Sequence, residues 1–174
     1  MSTPEDPGDP LRDALAGLGD AVESVLGSGD NAGDERMVRV RREVIAEVCA
    51  VLKAEHGFTV LVDLCGVDFP GREPRFEVVY HLLRPALLNP AAARRLRLKV
   101  AAGEDAPVPS VATVWRAAEA CEREVWDLFG LRFDGHPELT RILLWEGFDG
   151  HPLRKDFPLE GMGTGASAAE ADGD

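Results

Sequence analysis

The sequence predicts an α+β fold: a two-layer domain in which a small, mostly antiparallel sheet is covered by helices, with a structured irregular segment at its C-terminal end. Three observations carry this. Two stretches, 41–55 and 113–129, place apolar residues on one helical face. Three strand-like runs lie between them. From Gly130 onward, aromatic residues and arginines are scattered among His-Pro and Gly without a period.

Residues 1–10 combine three Pro with three acids, which predicts disorder. Apolar residues at 11, 15, 18, 22, 25 and 26 then form a helical stripe from Leu11 to Leu26, followed by the linker GSGDNAGDE. Arg36–Val40 alternates and predicts a short strand. In the 41–55 helix Val44, Ile45, Val48, Val51 and Leu52 share one face, and Gly57 ends it.

FTVLVDLC (58–65) and RFEVVYHLL (75–83) flank the turn FPGREP and predict an antiparallel hairpin. RLRLKV (95–100) alternates strictly, with Leu96, Leu98 and Val100 on one face and Arg95, Arg97 and Lys99 on the other. The basic stripe reads either as a solvated sheet face or as a docking surface for an acidic partner. GEDAPVPS (103–110) is a loop, from which Ser110 or Thr113 would cap the second helix. That helix carries Val114, Ala118, Cys121, Val125, Leu128 and Phe129 on its apolar stripe and stops at Gly130. In the irregular segment 131–158 only TRILLW (140–145) is strand-like. The glycines of 161–165 follow no strand and open no helix, so they make no phosphate loop.

A length of 174 residues, 45% hydrophobic and 29% charged, suits one soluble domain. The organisation expected is an acidic N-terminal segment 1–35, partly disordered with one helix, a domain over 36–158, and a disordered acidic tail 159–174. The net charge of −12 belongs to the ends: residues 1–35 hold nine acids and one base, 159–174 four acids and no base, and 36–158 eighteen of each. A neutral body gives no field for nucleic acid, and acidic ends repel both nucleic acid and anionic lipid. No run approaches a membrane helix, and the opening MSTPEDPGDP has no apolar block of a secretory signal. A cytoplasmic location with membrane contact only through a partner is expected. The three cysteines, Cys49, Cys65 and Cys121, form no Cys-x-x-Cys and read as reduced thiols.

CEREVWDLFG (121–130) poses the functional question, because Glu122-Arg123-Glu124 sits within an apolar stripe. Carboxylates two residues apart on a helix point about 200° apart, so Glu122 and Glu124 do not share one substrate. Glu119, Arg123 and Asp127, four apart, are expected to form an ion-pair ladder, with the charges ringing the buried face. His136-Pro137 and His151-Pro152 read as turn histidines whose rings bond to backbone. A His136/His151/Cys121 metal site matches no known spacing. The alternative is a charged joint: Trp126, Phe129, Phe133, Trp145, Phe148 and Phe157 are interleaved with Arg132, Arg141, Arg154 and Lys155, a composition of interface hot spots.

The motif Glu122-Arg123-Glu124-x-x-Asp127-Leu-Phe-Gly130, then His136-Pro137, Arg141-Ile142-Leu143 and Gly150-His151-Pro152-Leu153-Arg154-Lys155-Asp156-Phe157-Pro158, resembles the signature of the 30 kDa subunit of respiratory complex I, the C-type subunit of bacterial NADH-quinone oxidoreductase. Asp63, Asp68, the RFEVVYHLL strand and Val108–Val111 extend the resemblance over roughly residues 37–160. Ala120 and Cys121 stand where the family usually has aromatics, Thr140 replaces an Arg, and the C-terminal extension is short.

The resemblance implies a non-catalytic subunit of the peripheral arm, on the cytoplasmic side of the cell inner membrane, with no catalytic, cofactor or metal residue of its own. NAD, FMN, iron–sulfur clusters and quinone would belong to the assembled complex. Its partners would be the 49 kDa-type subunit and nearby iron–sulfur subunits. Glu122, Arg123, Glu124, Asp127, His136, Pro137, Arg141, His151, Pro152, Arg154, Lys155 and Asp156 would be structural or interface residues holding segment 131–158. Three other readings stand beside it: the equivalent subunit of a membrane-bound hydrogenase or other quinone-reducing complex, a free-standing acid–base enzyme using Glu122 and His136, and an adaptor recruiting a basic partner through its acidic ends.

Overall fold

The computed structural model describes residues 17–26, 35–86 and 93–158. The strands are β1 (Val22–Leu26), β2 (Glu35–Val40), β3 (Val60–Asp68), β4 (Phe76–Arg84) and β5 (Arg94–Ala102), in the sheet order β1-β2-β5-β4-β3. Only β2–β5 is parallel; the other three pairings are antiparallel. Helices α1 (Ile45–Ala54) and α2 (Ala117–Phe129), a parallel ribbon of β6 (Val108–Pro109) with β7 (Phe133–Asp134), and 3-10 turns at Gly19–Ala21 and Arg42–Val44 complete the described elements. Among these residues no helix is long and apolar enough to cross a membrane. The predicted α+β class is the observed one.

Pleating explains the layers. Val38, Leu64, Val78, Tyr80, Leu82, Leu96, Leu98 and Val100 are buried at alternating positions and form one core with Ile45, Val48, Cys49 and Leu52 of α1 and Ala118, Val125 and Phe129 of α2. Gly66 lets α2 come close to β3, since a Cβ there would lie 2.8 Å from Cδ2 of Phe129. The opposite sheet face is charged. Glu77 lies on it at 1% exposure, held by Arg39 and Lys99, each at 2.9 Å. The basic stripe of β5 is thus partly neutralised by the neighbouring strand.

Several expectations are corrected. Val22–Leu26 is an edge strand rather than the end of a helix; a register shift between Val22 and Ser24 breaks the alternation that would have revealed it. Residues 1–16, all of the linker but Glu35, and the tail 159–174 lie outside the described residues, and Glu35 begins β2. The first helix opens with a 3-10 turn at Arg42–Val44. The second begins at Ala117, not 113, and neither Ser110 nor Thr113 caps it; Arg116 is the N-cap residue. TRILLW is a series of bends, because its backbone N–H groups are drawn to a helix carboxylate.

Candidate functional site

Helix α2 carries the charged motif, and its side chains lay segment 131–158 across the domain. Arg123 does not pair with Glu119 and Asp127 in a ladder. It reaches the segment instead, donating from Nε to the Thr140 carbonyl at 3.0 Å and from Nη2 to the Arg141 carbonyl at 2.7 Å. Asp127 is buried, with Oδ1 2.6 Å from Nη1 of Arg141. Its Oδ2 accepts the successive N–H groups of Ile142, Leu143 and Leu144 at 3.1, 2.9 and 2.9 Å. Such a nest of consecutive N–H groups is a natural anion seat. Burial pushes the Asp127 carboxyl up, but the three N–H groups and Arg141 outweigh it and hold it below the usual range. Arg141 also donates to the Phe148 carbonyl at 2.8 Å, which closes the loop.

The C-terminal carbonyls of α2 would otherwise lack partners. His151 Nδ1–H donates to the Asp127 carbonyl at 2.9 Å, the Leu153 N–H to Leu128 at 3.1 Å, and Arg154 Nε to Phe129 at 2.7 Å. Gly130, at φ +77°, makes this approach possible: a Cβ there would meet Nε2 of His151 at 2.5 Å and Nη2 of Arg154 at 2.7 Å. His136 is fixed as its Nε2–H tautomer, since Nδ1 accepts the Glu138 N–H and Nε2 donates to the Glu119 carbonyl, both at 3.0 Å. Both His-Pro histidines therefore bond backbone, as their turn positions predict.

A second anchor lies at the hairpin end. Arg75 grips Asp68 with two 2.7 Å bonds and also reaches Asp156 at 2.8 Å, while the Lys155 N–H donates to Asp68 at 2.7 Å. The Arg75 bonds hold the Asp68 carboxyl below its usual range. The guanidinium groups of Arg75 and Arg154 lie 4.9 and 5.1 Å from the centre of the buried Phe76 ring. Asp68 was visible only through the family resemblance. Arg75 and Phe76 were missed, and the available signal was their place beside the FPGREP turn.

Glu122 departs from the expectation of charges ringing the buried face. It has 0% exposure; Oε2 lies 2.6 Å from the Ser110 hydroxyl and Oε1 accepts the Val111 N–H at 2.7 Å. Burial is the larger influence and raises its carboxyl above the usual value. Both oxygens are taken and His136 is bonded elsewhere, so the two do not form an open acid–base pair. Glu124 and Pro137 are exposed, Pro152 is half-buried, and the Lys155 and Asp156 side chains lie at the surface. The network leaves Ile142, Leu143, Trp145 and Leu153 40–61% exposed, with Trp145 edge-on to Phe148 and Phe148 stacked with Phe157. These large apolar side chains are thus presented to solvent by a fastened segment.

Residues 38–162 match the family described as "Respiratory-chain NADH dehydrogenase, 30 Kd subunit". A protein of Paramagnetospirillum magneticum, named as the C-type subunit of NADH-quinone oxidoreductase, is 47% identical over 158 residues, 87% of this chain and 77% of the relative. One of the same name from Phenylobacterium zucineum is 55% identical over 117 residues, covering 67% of this chain and 54% of the relative. The solved trypsin-resistant fragment of Nqo5 superposes with a TM-score of 0.61 at 34% identity, over 74% of this chain and 96% of that one. A chain of the membrane-bound sulfane sulfur reductase, an archaeal respiratory membrane complex, shares the fold, with a TM-score of 0.70 at 24% identity over 88% of this chain and 87% of that one. The signature that fastens segment 131–158 to α2 thus sits inside the matched span, and the chain belongs to the family of the respiratory-chain NADH dehydrogenase 30 kDa subunit.

Proposed function

We propose that this chain is a non-catalytic structural subunit of the peripheral arm of a proton-translocating NADH:quinone oxidoreductase. In this reading it docks the 49 kDa-type subunit, beside the iron–sulfur subunits, on the cytoplasmic side of the cell inner membrane. It supports electron transfer from NADH through FMN and iron–sulfur centres to quinone by fixing the relative positions of its neighbours. The observation that carries this is the fastened apolar face of Ile142, Leu143, Trp145 and Leu153: the buried Asp127 holds the N–H groups of Ile142 and Leu143, and the Leu153 N–H bonds the Leu128 carbonyl. The motif residues supply the pinning: Arg123, His136, His151 and Arg154 each bond a backbone carbonyl. The three cysteines fall short of the four thiolates of an iron–sulfur cradle, and Cys49 is buried in the core. The redox groups are therefore assigned to the partner subunits.

The test is the double variant Leu143→Asp/Trp145→Asp in the native complex. Expected are an unchanged melting temperature of the purified chain and loss of co-migration with flavin and iron–sulfur subunits on native gels. Full assembly of the variant would overturn the docking assignment. The identity of the co-migrating subunits also separates this reading from membership of another quinone-reducing complex.

A further inference from the structure

On the charged face of the sheet, away from segment 131–158, strands β3 and β4 bring together three side chains of different chemistry. Asp63 is the direct cross-strand neighbour of His81, and Cys65 lies two residues along β3 on the same face. A carboxylate oxygen of Asp63, the Cys65 Sγ and an imidazole nitrogen of His81 all lie within 4.8 Å of one another. Asp63 is exposed and the other two are half-buried, so the cluster is open to solvent on one side.

We propose that Asp63, Cys65 and His81 form a binding site for a single divalent cation of the zinc class. Thiolate, imidazole and carboxylate are together a donor set that favours zinc over magnesium or calcium, which take oxygen ligands. Zinc–ligand distances of about 2.0–2.3 Å put tetrahedral ligand atoms roughly 3.3–3.8 Å apart. Closing from 4.8 Å is within the reach of side-chain rotation, with Oδ1 of Asp63 starting from its 2.9 Å bond to the Leu64 N–H. Three protein ligands leave a fourth position for water or a group from a partner.

The nearest strand on the other side contributes Arg97, opposite His81. Its Nη1 lies 3.8 Å from the Met37 sulfur of β2, and its charge also acts on the Cys65 thiol, as do Cys121 and Glu124 of α2. Burial and then Asp63 raise the Cys65 thiol above its ordinary value. The ion must displace that proton, so uptake strengthens with rising pH. A bound ion would clip the edge strand β3, beyond its register shift at Leu61/Asp63, to the central strand β4.

The test uses the full chain and Co²⁺ as the spectroscopic probe, followed by competition with Zn²⁺. Expected is saturable uptake of one ion per chain with a thiolate-to-cobalt charge-transfer band, abolished by Zn²⁺. Cys65→Ser should remove the band. His81→Gln should weaken affinity by more than the roughly 10–100-fold that outer-shell changes cost, and Cys121→Ser should leave both unchanged. A melting curve of each variant verifies that it is folded. Absence of saturable uptake, a band that survives Cys65→Ser, unaltered affinity in His81→Gln, or loss of the band in Cys121→Ser would each overturn the assignment.

Discussion

The carboxylate of Asp127 and the guanidinium of Arg141 meet at 2.6 Å, and that contact joins the last turn of α2 to a loop fourteen residues away. The same carboxylate collects three successive N–H groups, so one buried side chain determines the backbone path of 142–144. Charge-assisted bonds of this kind are roughly twice as strong as neutral ones, and leaving them unmade is costly.

Asp127→Ala should therefore destabilise the chain by about 3 kcal/mol, at the low end for breaking a buried pair because Arg141 keeps some exposure. Urea titration measures the loss. Amide exchange should accelerate at residues 142–144 ahead of the sheet. Asp127→Asn keeps an acceptor oxygen and should lose less. Equal protection of 142–144 in Asp127→Ala and the unmutated chain would refute the anchoring role.

Asp68 sets an acid limb. Arg75 holds its carboxyl below the ordinary 3.8, so the folded state binds that proton less readily than the unfolded chain. The resulting stability is complete above pH 3.8 and is lost as pH falls through the folded value. Arg75→Gln removes the grip. The stability gap between unmutated chain and Arg75→Gln should be constant near neutrality and shrink below pH 3.8. A gap that widens on acidification would contradict this.

Glu122 has the opposite sign. Its carboxyl is raised above the ordinary 4.5, chiefly by burial, so the folded state favours the protonated form and loses stability as pH climbs past that value. Gln reproduces the neutral pattern: its carbonyl oxygen accepts from the Val111 N–H and its amide donates to the Ser110 hydroxyl. Relative to the unmutated chain, Glu122→Gln should gain stability from pH 4.5 toward neutrality, as thermal melts across a pH series would record. A relative loss over that range would mean the ionised carboxylate is the stabilising species.

Much of this was legible in the sequence, and the failures share a cause. Leu96, Leu98 and Val100 announced their strand because one face of β5 is buried and the other is not. Gly130 announced the end of α2 because a left-handed residue was needed there. TRILLW read as a strand because an apolar run looks alike whether its N–H groups meet a neighbouring strand or a carboxylate fifteen residues back. The burial of Glu122 depends on Ser110 and Val111, twelve and eleven residues upstream, so helical periodicity could place it only at the edge of the stripe. The Asp63–Cys65–His81 cluster depends on hairpin register, which pattern alone does not set to the residue.

Gly130→Ala should act through geometry rather than charge. The left-handed conformation costs an L-residue about 1–2 kcal/mol, and the new methyl would overlap His151 and Arg154. Both strains fall on the residues that cap α2, so the total should exceed that figure. Segment 151–158 should become the first site of tryptic cleavage, at Arg154 or Lys155. Unchanged melting and proteolysis would show that the capping bonds tolerate displacement.

Arg123→Ala separates a positioning role from a catalytic one. The guanidinium bonds the Thr140 and Arg141 carbonyls, immediately before the apolar face of 142–145. Its removal leaves Asp127 with its own partners, so the domain should fold while the loop loses one of its two tethers. The expected result is a lower yield of assembled complex with normal NADH:quinone turnover per assembled complex, measured by native gel against flavin content. Lys at this position lacks the planar fork that addresses two carbonyls together, so Arg123→Lys should recover assembly only in part. A complex that assembles fully with Arg123→Ala yet loses turnover would place this residue in the electron-transfer chemistry and refute its role as a tether.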